Sequence, residues 1–272
     1  IKLIENAQKV EDKKRQAIPS EEKRLIKAGG GRKKSLGKAE EIILTLYYLH
    51  HVPTFQLLGA IFGVSESTAN NIFHYWIDIL RELLPSSLLE EFSGKENEYL
   101  WIKEALTEIE LIVDSTEQDI FRPKNDEKQK KYYSGKQKSH TLKNQIIITD
   151  NGKEIVDVIV GERGPESDII LFKKQQKKFD KEQRFQGDKG YQGGERIDTP
   201  KKKKRNHKMS YKVKKENQKK AQKRIFVEHV IRLIKIFKVA RERFRLKESN
   251  YEKVILTICG LVRLRIGALM LT

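Results

Sequence analysis

Residues 223–238, K-R-I-F-V-E-H-V-I-R-L-I-K-I-F-K, are the most informative stretch of this chain. Their apolar residues recur at the spacing of one helix face, which predicts a helix packed on a core. This stretch carries a single carboxylate, Glu228, in a strongly basic setting. Two aspartates upstream, Asp114 in L-I-V-D-S-T-E and Asp188 in R-F-Q-G-D-K-G-Y, each follow an apolar run typical of a strand. Three acids from separate elements suggest a magnesium site that acts on nucleic acid.

The chain is strongly and unevenly basic. Its 272 residues include 56 Lys+Arg and 38 Asp+Glu, a formal net charge of +18. Residues 199–248 hold 20 Lys/Arg against 4 Asp/Glu. Such an excess favours a polyanion, either nucleic acid or an anionic membrane surface, although a run such as residues 201–205 also fits a solvated face. Basic residues beside the carboxylates favour binding of a phosphate backbone, with a strong salt dependence.

Cysteine content and hydropathy exclude several classes of protein. The single Cys259 excludes an intrachain disulfide framework and a Cys/His zinc site, and is consistent with a reducing cytoplasm. The first ten residues lack an apolar core of signal length, so no secretory signal is predicted. Residues 254–271 are apolar but contain Arg263 and Arg265, which favours a helix packed on the core over a membrane span.

The amino-terminal residues divide into two predicted parts. Residues 1–37 are polar and end in G-G-G-R-K-K-S-L-G, which predicts a flexible basic arm. Residues 38–93 predict three helices, with Thr54 capping the second and Ser65 capping the third after a turn at Gly63.

Two helices joined by a short glycine turn are typical of a helix-turn-helix, whose second helix meets base edges in the major groove. A helical hairpin used only for packing fits the same pattern. In the DNA-binding interpretation, the residues that face DNA are Ser65, Glu66, Ser67, Asn70 and Asn71.

Residues 94–272 predict a second, α/β domain. Runs rich in isoleucine and valine indicate strands, and Asp150-Asn151-Gly152 joins two of them as a hairpin. The predicted strands are residues 106–113, 144–149, 154–160 and 184–188, and the predicted helices are residues 168–174 and 219–245. This order favours a mixed sheet flanked by helices.

Each acid also has an ordinary explanation when it is considered alone. An aspartate after a strand, such as Asp114 or Asp188, commonly forms a turn. Glu228 can pair with Arg224 and Arg232 on its own helix, a contact worth about 0.3 kcal/mol. Together, however, the two aspartates lie at predicted carboxyl ends of strands, where open sheets place their ligands. Two Mg²⁺ ions about 4 Å apart at such a place can activate an attacking oxygen and stabilise a leaving 3′ oxygen.

Five motifs give the chain a family resemblance. They are G-V-S-E-S-T at 63–68, V-D-S-T-E at 113–117, K-Y-Y-S-G-K-Q-K-S-H-T-L-K-N-Q at 131–145, G-D-K-G-Y-Q-G at 187–193 and R-I-F-V-E-H at 224–229. In these motifs the chain resembles bacterial insertion-sequence transposases of the DDE class, in the branch named after insertion sequence five, and is similar to cyanobacterial copies. The resemblance covers nearly all of residues 31–271.

The resemblance implies a ribonuclease H-like catalytic domain over residues 94–272, behind a helix-turn-helix domain over residues 38–93. It makes Asp114, Asp188 and Glu228 the catalytic, metal-binding acids of a site for two Mg²⁺ ions, for which Mn²⁺ can substitute. The residues that it implies contact DNA near this site are Arg224, Lys235, Lys143 and His140; for the last two a solvent-facing role fits equally.

Two departures from the family pattern are present. Ala221 stands at the tyrosine position of the family's carboxyl-terminal signature, and Ser167 stands where many relatives have histidine.

The implied activity is binding of an element's terminal inverted repeats, metal-dependent cleavage at its ends and joining of the 3′-OH to target DNA. The reaction brings two DNA ends together, which implies a homodimer or higher oligomer on double-stranded DNA, in the bacterial cytoplasm and associated with the nucleoid. Two alternatives remain at this stage. One is a catalytically decayed or domesticated copy that only binds DNA, and the other is a ribonuclease H-like nuclease such as a resolvase of branched DNA.

Overall fold

The computed structural model describes residues 1–17, 34–203 and 209–271. The helices in these ranges are α1 (Lys2–Ala17), α2 (Lys38–His51), α3 (Phe55–Phe62), α4 (Glu66–Leu83), α5 (Leu88–Glu91), α6 (Glu96–Thr107), α7 (Asp126–Tyr132), α8 (Asp168–Gln175), α9 (Tyr211–Ile236), α10 (Lys238–Arg241) and α11 (Tyr251–Arg265). The strands are β1 (Glu110–Asp119), β2 (Tyr133–Ser134), β3 (Ser139–Ile148), β4 (Ile155–Arg163), β5 (Arg184–Gln186) and β6 (Ile197–Asp198).

Helix α1 is packed, so the prediction of a flexible arm over residues 1–37 is wrong for this segment. Its Ala7 and Glu11 are buried against the helical domain. Glu11 accepts a hydrogen bond from the Tyr75 hydroxyl at 2.8 Å and pairs with Lys38 at 2.6 Å. The sequence of this segment shows no apolar helix face, because one of its buried residues is the paired carboxylate Glu11. Residues 18–33 of the predicted arm lie outside the described residues.

The three predicted helices of the helix-turn-helix region are confirmed as α2, α3 and α4. The Thr54 hydroxyl accepts the Leu57 amide at 3.2 Å, and the Ser65 hydroxyl caps α4 in the same way. Gly63 between them has a φ of 69°, a left-handed conformation that favours glycine. Trp76 of α4 is fully buried and donates its indole N–H to Glu41 of α2 at 2.7 Å. Capping and core packing therefore fix α4 on its neighbours.

The sheet has the mixed topology expected of a ribonuclease H-like domain. Strand β1 is central, antiparallel to β3 on one side and parallel to β5 on the other. Strands β4 and β2 pair with the outer edge of β3, and β6 pairs in parallel with β5. The predicted α/β fold class is confirmed.

Helices cover both faces of this sheet. Side chains alternate along a strand, and Ile112 of β1 packs in the cluster that contains α9 and α11, whereas Leu111 and Val113 pack with α6 and α8. Asp114 shares the face of Ile112 and therefore lies on the α9 side.

Several predicted boundaries differ from the structure. The strand expected over residues 106–113 begins only at Glu110, because α6 continues to Thr107. The helix expected over residues 219–245 begins at Tyr211 and ends at Ile236. After α9 ends, Gln118 of β1 donates to the carbonyls of Val239 and Glu242, both at 2.7 Å. These hydrogen bonds hold the segment that follows α9 on the sheet.

The carboxyl-terminal helix α11 contacts α4 of the helical domain as well as β4 of the sheet. Its Arg263 is fully buried and donates to Glu154 at 2.7 Å, to Glu91 at 2.7 Å and to the Pro85 carbonyl at 3.0 Å. The two domains are therefore joined by one hydrophobic cluster that runs through α11. Among the described helices, none combines the length and apolar character that crossing a bilayer requires.

Candidate active site and nucleic-acid interface

The sheet places Asp114 and Asp188 side by side. In the parallel pairing of β1 with β5, Ile112 lies opposite Gln186, and each aspartate follows two residues later. Strand β5 ends at Gln186, while β1 continues to Asp119. The sequence predicts Asp114 at the end of a strand, but the structure places it inside β1. It nevertheless lies beyond the end of the neighbouring strand, where the sheet opens.

The setting of Asp114 disfavours its charged form. Burial raises the pKa of its carboxyl to about 6, and the nearby carboxylates of Asp188 and Asp168 act in the same direction. The Ser115 amide, which donates to Asp114 at 2.8 Å, and the guanidinium of Arg224 lower this pKa but do not cancel the effect of burial. A partly buried carboxyl surrounded by other carboxylates is a common arrangement at functional sites.

Asp168, at the start of α8, is a third aspartate at this place that sequence reasoning did not assign to the site. A Cβ added to Gly190 would lie 3.1 Å from an oxygen of Asp168 and 2.8 Å from an oxygen of Asp188. The two carboxylates therefore flank a gap that only glycine leaves open. The sequence shows that Asp168 lies in the first turn of a helix, directly after Ser167. It does not show that Asp168 lies near Asp188, because that proximity depends on tertiary packing.

Lys143 is engaged within the protein, and the contact with DNA that the resemblance implies for it stays a prediction. Its ammonium donates to the Glu166 carbonyl at 2.5 Å and to Asp168 at 2.8 Å, and its side chain is 7% exposed. It pairs in register with Glu117, three residues beyond Asp114 and therefore on the opposite face of the sheet. Lys143 instead anchors the start of α8 and holds Asp168 in place.

Tyr191, from the G-D-K-G-Y motif, is a second residue with a role that the sequence did not reveal. It is fully buried beneath the aspartates, and its hydroxyl lies 2.8 Å from the Ser115 hydroxyl. Burial raises its pKa well above the ordinary value, so the phenol remains protonated. It supports the loop that carries Asp188.

Glu228 is on α9 but apart from the aspartates. Its carboxylate is 54% exposed and contacts the Arg224 guanidinium at 3.4 Å. Within residues 1–17, 34–203 and 209–271, no three acidic, histidine or cysteine side chains are close enough together to hold a metal ion. The role of Glu228 as third catalytic acid stays a prediction.

Two basic residues of α9 lie close to Asp114. The charge of Arg224 lowers the pKa of Asp114, and its buried Nε has no hydrogen-bond partner within the described part of the chain. Burial lowers the pKa of Lys235, and the charge of Asp114 opposes that effect. Positions 224, 228 and 235 share one helix face, so α9 presents two cations and one acid toward the opening of the sheet.

His140 lies far from the aspartates. Asp114 is opposite Ile146, six residues further along β3, which corresponds to about 20 Å. The imidazole packs edge-on to Tyr133, with ring centroids 5.5 Å apart. The structure therefore does not bring His140 to the candidate active site, and contact with DNA elsewhere stays a prediction.

The first turn of α4 offers a surface for nucleic acid. Glu66, Ser67 and Asn71 are exposed, whereas Asn70 is partly buried. The Ser65 hydroxyl is engaged in the cap and in contacts with Ser67 and Thr68 at 3.0 and 2.8 Å.

A cavity of about 770 Å³ adjoins this turn, and its lining includes the cations Arg15 and Lys34. Both cations are paired with carboxylates, Arg15 with Glu11 and Lys34 with Glu41.

Comparison with known proteins places these two regions in one family. Residues 113–263 match the family model of the DDE superfamily endonucleases, and residues 34–86 match the helix-turn-helix model of the same superfamily. The chain belongs to the DDE superfamily of endonucleases. The aspartates of this endonuclease, Asp114 and Asp188, lie inside the first match, and the first turn of α4 lies inside the second.

The endonuclease is also similar to individual transposases. It is 31% identical over 238 residues to the probable transposase for insertion sequence element IS702 of Microchaete diplosiphon, covering 86% of this chain and 82% of that protein. A solved structure, the Mos1 transposase paired-end complex with left transposon end, aligns with 89% of this chain and 80% of its own at 10% identity and a TM-score of 0.25.

Proposed function

We propose that this endonuclease is a DNA transposase that binds the terminal inverted repeats of an insertion sequence, cleaves at its ends and joins the 3′-OH to target DNA. The observation that carries the proposal is the placement of Asp114 on β1 and of Asp188 two residues past the end of the adjacent parallel β5, beside a basic helix and behind a helix-turn-helix. The similarity to the IS702 transposase supports the same reaction.

The carboxylates of the candidate active site are ligands of the type that a divalent metal ion binds. Asp114 and Asp188 supply carboxylate oxygens, which Mg²⁺ and Mn²⁺ prefer, whereas the Asp168 carboxylate is paired with Lys143. We propose that Asp114 and Asp188 hold the ions and that Glu228 joins them when it leaves Arg224. Two bound Mg²⁺ ions would supply activation of water and stabilisation of the leaving oxygen.

The protein's own residues hold and orient the DNA. Once Glu228 has left it, the Arg224 guanidinium is free to bind a phosphate in its place. Lys235, half-buried near Asp114, holds a second phosphate of the scissile strand. Because the pKa of Asp114 is raised to about 6, this carboxyl is protonated at lower pH. We therefore expect weak metal affinity below about pH 6 and stronger affinity above it.

A cleavage assay tests the function. Duplexes that carry the element's terminal repeats and flanking DNA are incubated with Mg²⁺, with Mn²⁺ and with EDTA, and the cuts are mapped. We expect cuts at the repeat ends that require metal and that disappear in Asp114→Asn, Asp188→Asn and Glu228→Gln. The exposed Asp126→Asn is the matched control and should cut normally. Persistent cutting by any of the first three variants would remove that residue from the site.

The helix-turn-helix assignment needs a separate binding assay. Alanine at Asn70 and Asn71 should reduce the preference for repeats over unrelated DNA more than it reduces affinity for unrelated DNA. An unchanged preference would contradict base reading by α4.

A repeat-binding protein without catalysis is a second candidate function, favoured by the distance of Glu228 from the aspartates and by Ala221. It predicts equal repeat binding in Mg²⁺ and EDTA with no cuts. A resolvase would instead cut branched DNA that lacks the repeats.

A further inference from the structure

One face of α6 has a character opposite to the rest of this basic protein. Its central side chain, Trp101, is 68% exposed, and its neighbour Leu100 is 57% exposed. Glu104 and Glu108, one and two turns further along the same face, are also exposed. The opposite face of α6, with Ile102 and Leu106, packs on the sheet. The helix is therefore apolar on both sides, with acids beside the outer apolar residues.

This outer face is unsuited to DNA. Carboxylates beside Trp101 would be repelled by phosphates, and the cations near Asp114, Arg224 and Lys235, are elsewhere, in the second half of α9. Exposed tryptophan next to leucine is, however, the composition of a protein contact, because aromatic residues supply much of the binding energy there. A partner with a basic surface fits this face best.

The chain itself provides such a surface. The first half of α9 exposes Lys212, Lys214, Lys215 and Lys219, and Tyr211 at its start is 80% exposed. We propose that the acidic, apolar face of α6 docks the lysine-rich first half of α9 of a second copy of this chain, forming a two-fold dimer without DNA.

The arrangement of the two helices permits a reciprocal contact. Lys223 of α9 pairs with Glu110 at 2.8 Å, and Glu110 lies three residues past the end of α6. Both helices thus reach the same end of β1. Under two-fold symmetry, a copy that presents its α9 to this α6 receives this α9 on its own α6.

Interface size also requires the reciprocal contact. A helix of twelve residues is about 18 Å long, so one face of it is smaller than the roughly 800 Å² that each partner buries in a stable complex. Two α6–α9 contacts related by symmetry double the area. The proposal goes beyond the function proposed above, because it concerns assembly before any DNA is bound.

Sedimentation velocity of the full chain without DNA or metal tests the proposal. We expect a dimer whose dissociation constant rises with salt, because the contact pairs carboxylates with lysines. Trp101→Glu should weaken the dimer by about 30-fold or more, as expected for a central aromatic. Met270→Glu, at another exposed apolar residue, is the matched control and should leave it unchanged.

A charge exchange identifies the occupant. Glu104→Lys with Glu108→Lys should give monomers, and adding Lys212→Glu with Lys215→Glu in the same chain should restore dimers. Far-UV circular dichroism checks that every variant is folded. Dimers that survive Trp101→Glu, or a wild-type chain that stays monomeric at micromolar concentration, would overturn the proposal. Failure of the exchange to restore dimers would refute α9 as the occupant.

Tryptophan fluorescence gives an independent measurement. Trp76 is fully buried, so acrylamide quenching in the wild type, compared with Trp101→Phe, reports on Trp101 alone. Trp101 should become protected as the protein concentration rises. If it stays equally accessible in a dimer, the dimer uses another surface and the inference is wrong. Neither experiment involves DNA cleavage, so a negative result here leaves the proposed transposase activity standing.

Discussion

Replacing Asp114 with asparagine should make the metal-free protein more stable while abolishing DNA cleavage. Burial raises the pKa of this carboxyl from 3.8 to about 6. Between these values the folded state binds more protons than the unfolded state, so the stability of the wild type falls as pH rises. The full loss is reached above about pH 6. A pKa shift of roughly two units lowers the free energy of unfolding of the wild type by about 3 kcal/mol. Asp114→Asn does not lose this free energy, because asparagine has no charge.

Urea unfolding at several pH values measures this difference. At pH 7.5 Asp114→Asn should exceed the wild type by up to about 3 kcal/mol, and at pH 5 the gap should fall to about half. The exposed Asp126→Asn, a matched control, should show no such pH dependence. Equal stabilities at pH 7.5, or a gap that does not change with pH, would refute the argument.

The effect of Mg²⁺ on stability tests whether Asp114 binds metal, which the removal of a buried charge alone does not test. Saturating Mg²⁺ should stabilise the wild type, because a ligand that binds only the folded state raises its free energy of unfolding. It should not stabilise Asp114→Asn. Equal stabilisation of both proteins would place the metal elsewhere.

Three further substitutions test the packing, each by urea unfolding. Arg263→Met should lower the free energy of unfolding by about 3–5 kcal/mol, since it leaves two carboxylates unpaired, whereas the exposed Arg265→Met should have little effect. Gly260→Ala should cost about 1–3 kcal/mol, because its Cβ would lie 2.6 Å from a carbonyl oxygen at the end of α4; full stability would refute that close approach. Ser65→Ala should cost about 1 kcal/mol through loss of the cap, and an equal loss in Ser67→Ala would contradict it.

Local patterns in the sequence predicted much of this fold. Caps at Thr54 and Ser65 marked helix starts, because a hydroxyl satisfies free amides there whatever the tertiary structure. The isoleucine-rich runs marked the hairpin of β3 and β4. Helix α1 was missed, since its buried Glu11 is stabilised by partners distant in the chain and has no local signal.

The candidate site was predictable only in part. Asp114 and Asp188 could be found from their strands and motifs, and the register of β1 with β5 then brings them together. The positions of Asp168 and Lys143 could not be inferred, because which face of β3 a residue occupies depends on pairing that no local pattern specifies. Likewise, the family resemblance supplied a role for Glu228 but could not reveal that Arg224 contacts it.

The buried position of α11 against α4 has a consequence for synthesis and inheritance. Helix α11, which is synthesised well after the helix-turn-helix domain, supplies part of the surface on which that domain packs. A reading frame interrupted before Tyr251 therefore yields a fragment whose helix-turn-helix lacks that support. Under the proposed function, such broken gene copies should produce little stable protein able to bind the ends of an intact element, so damaged copies would not act as inhibitors of functional ones.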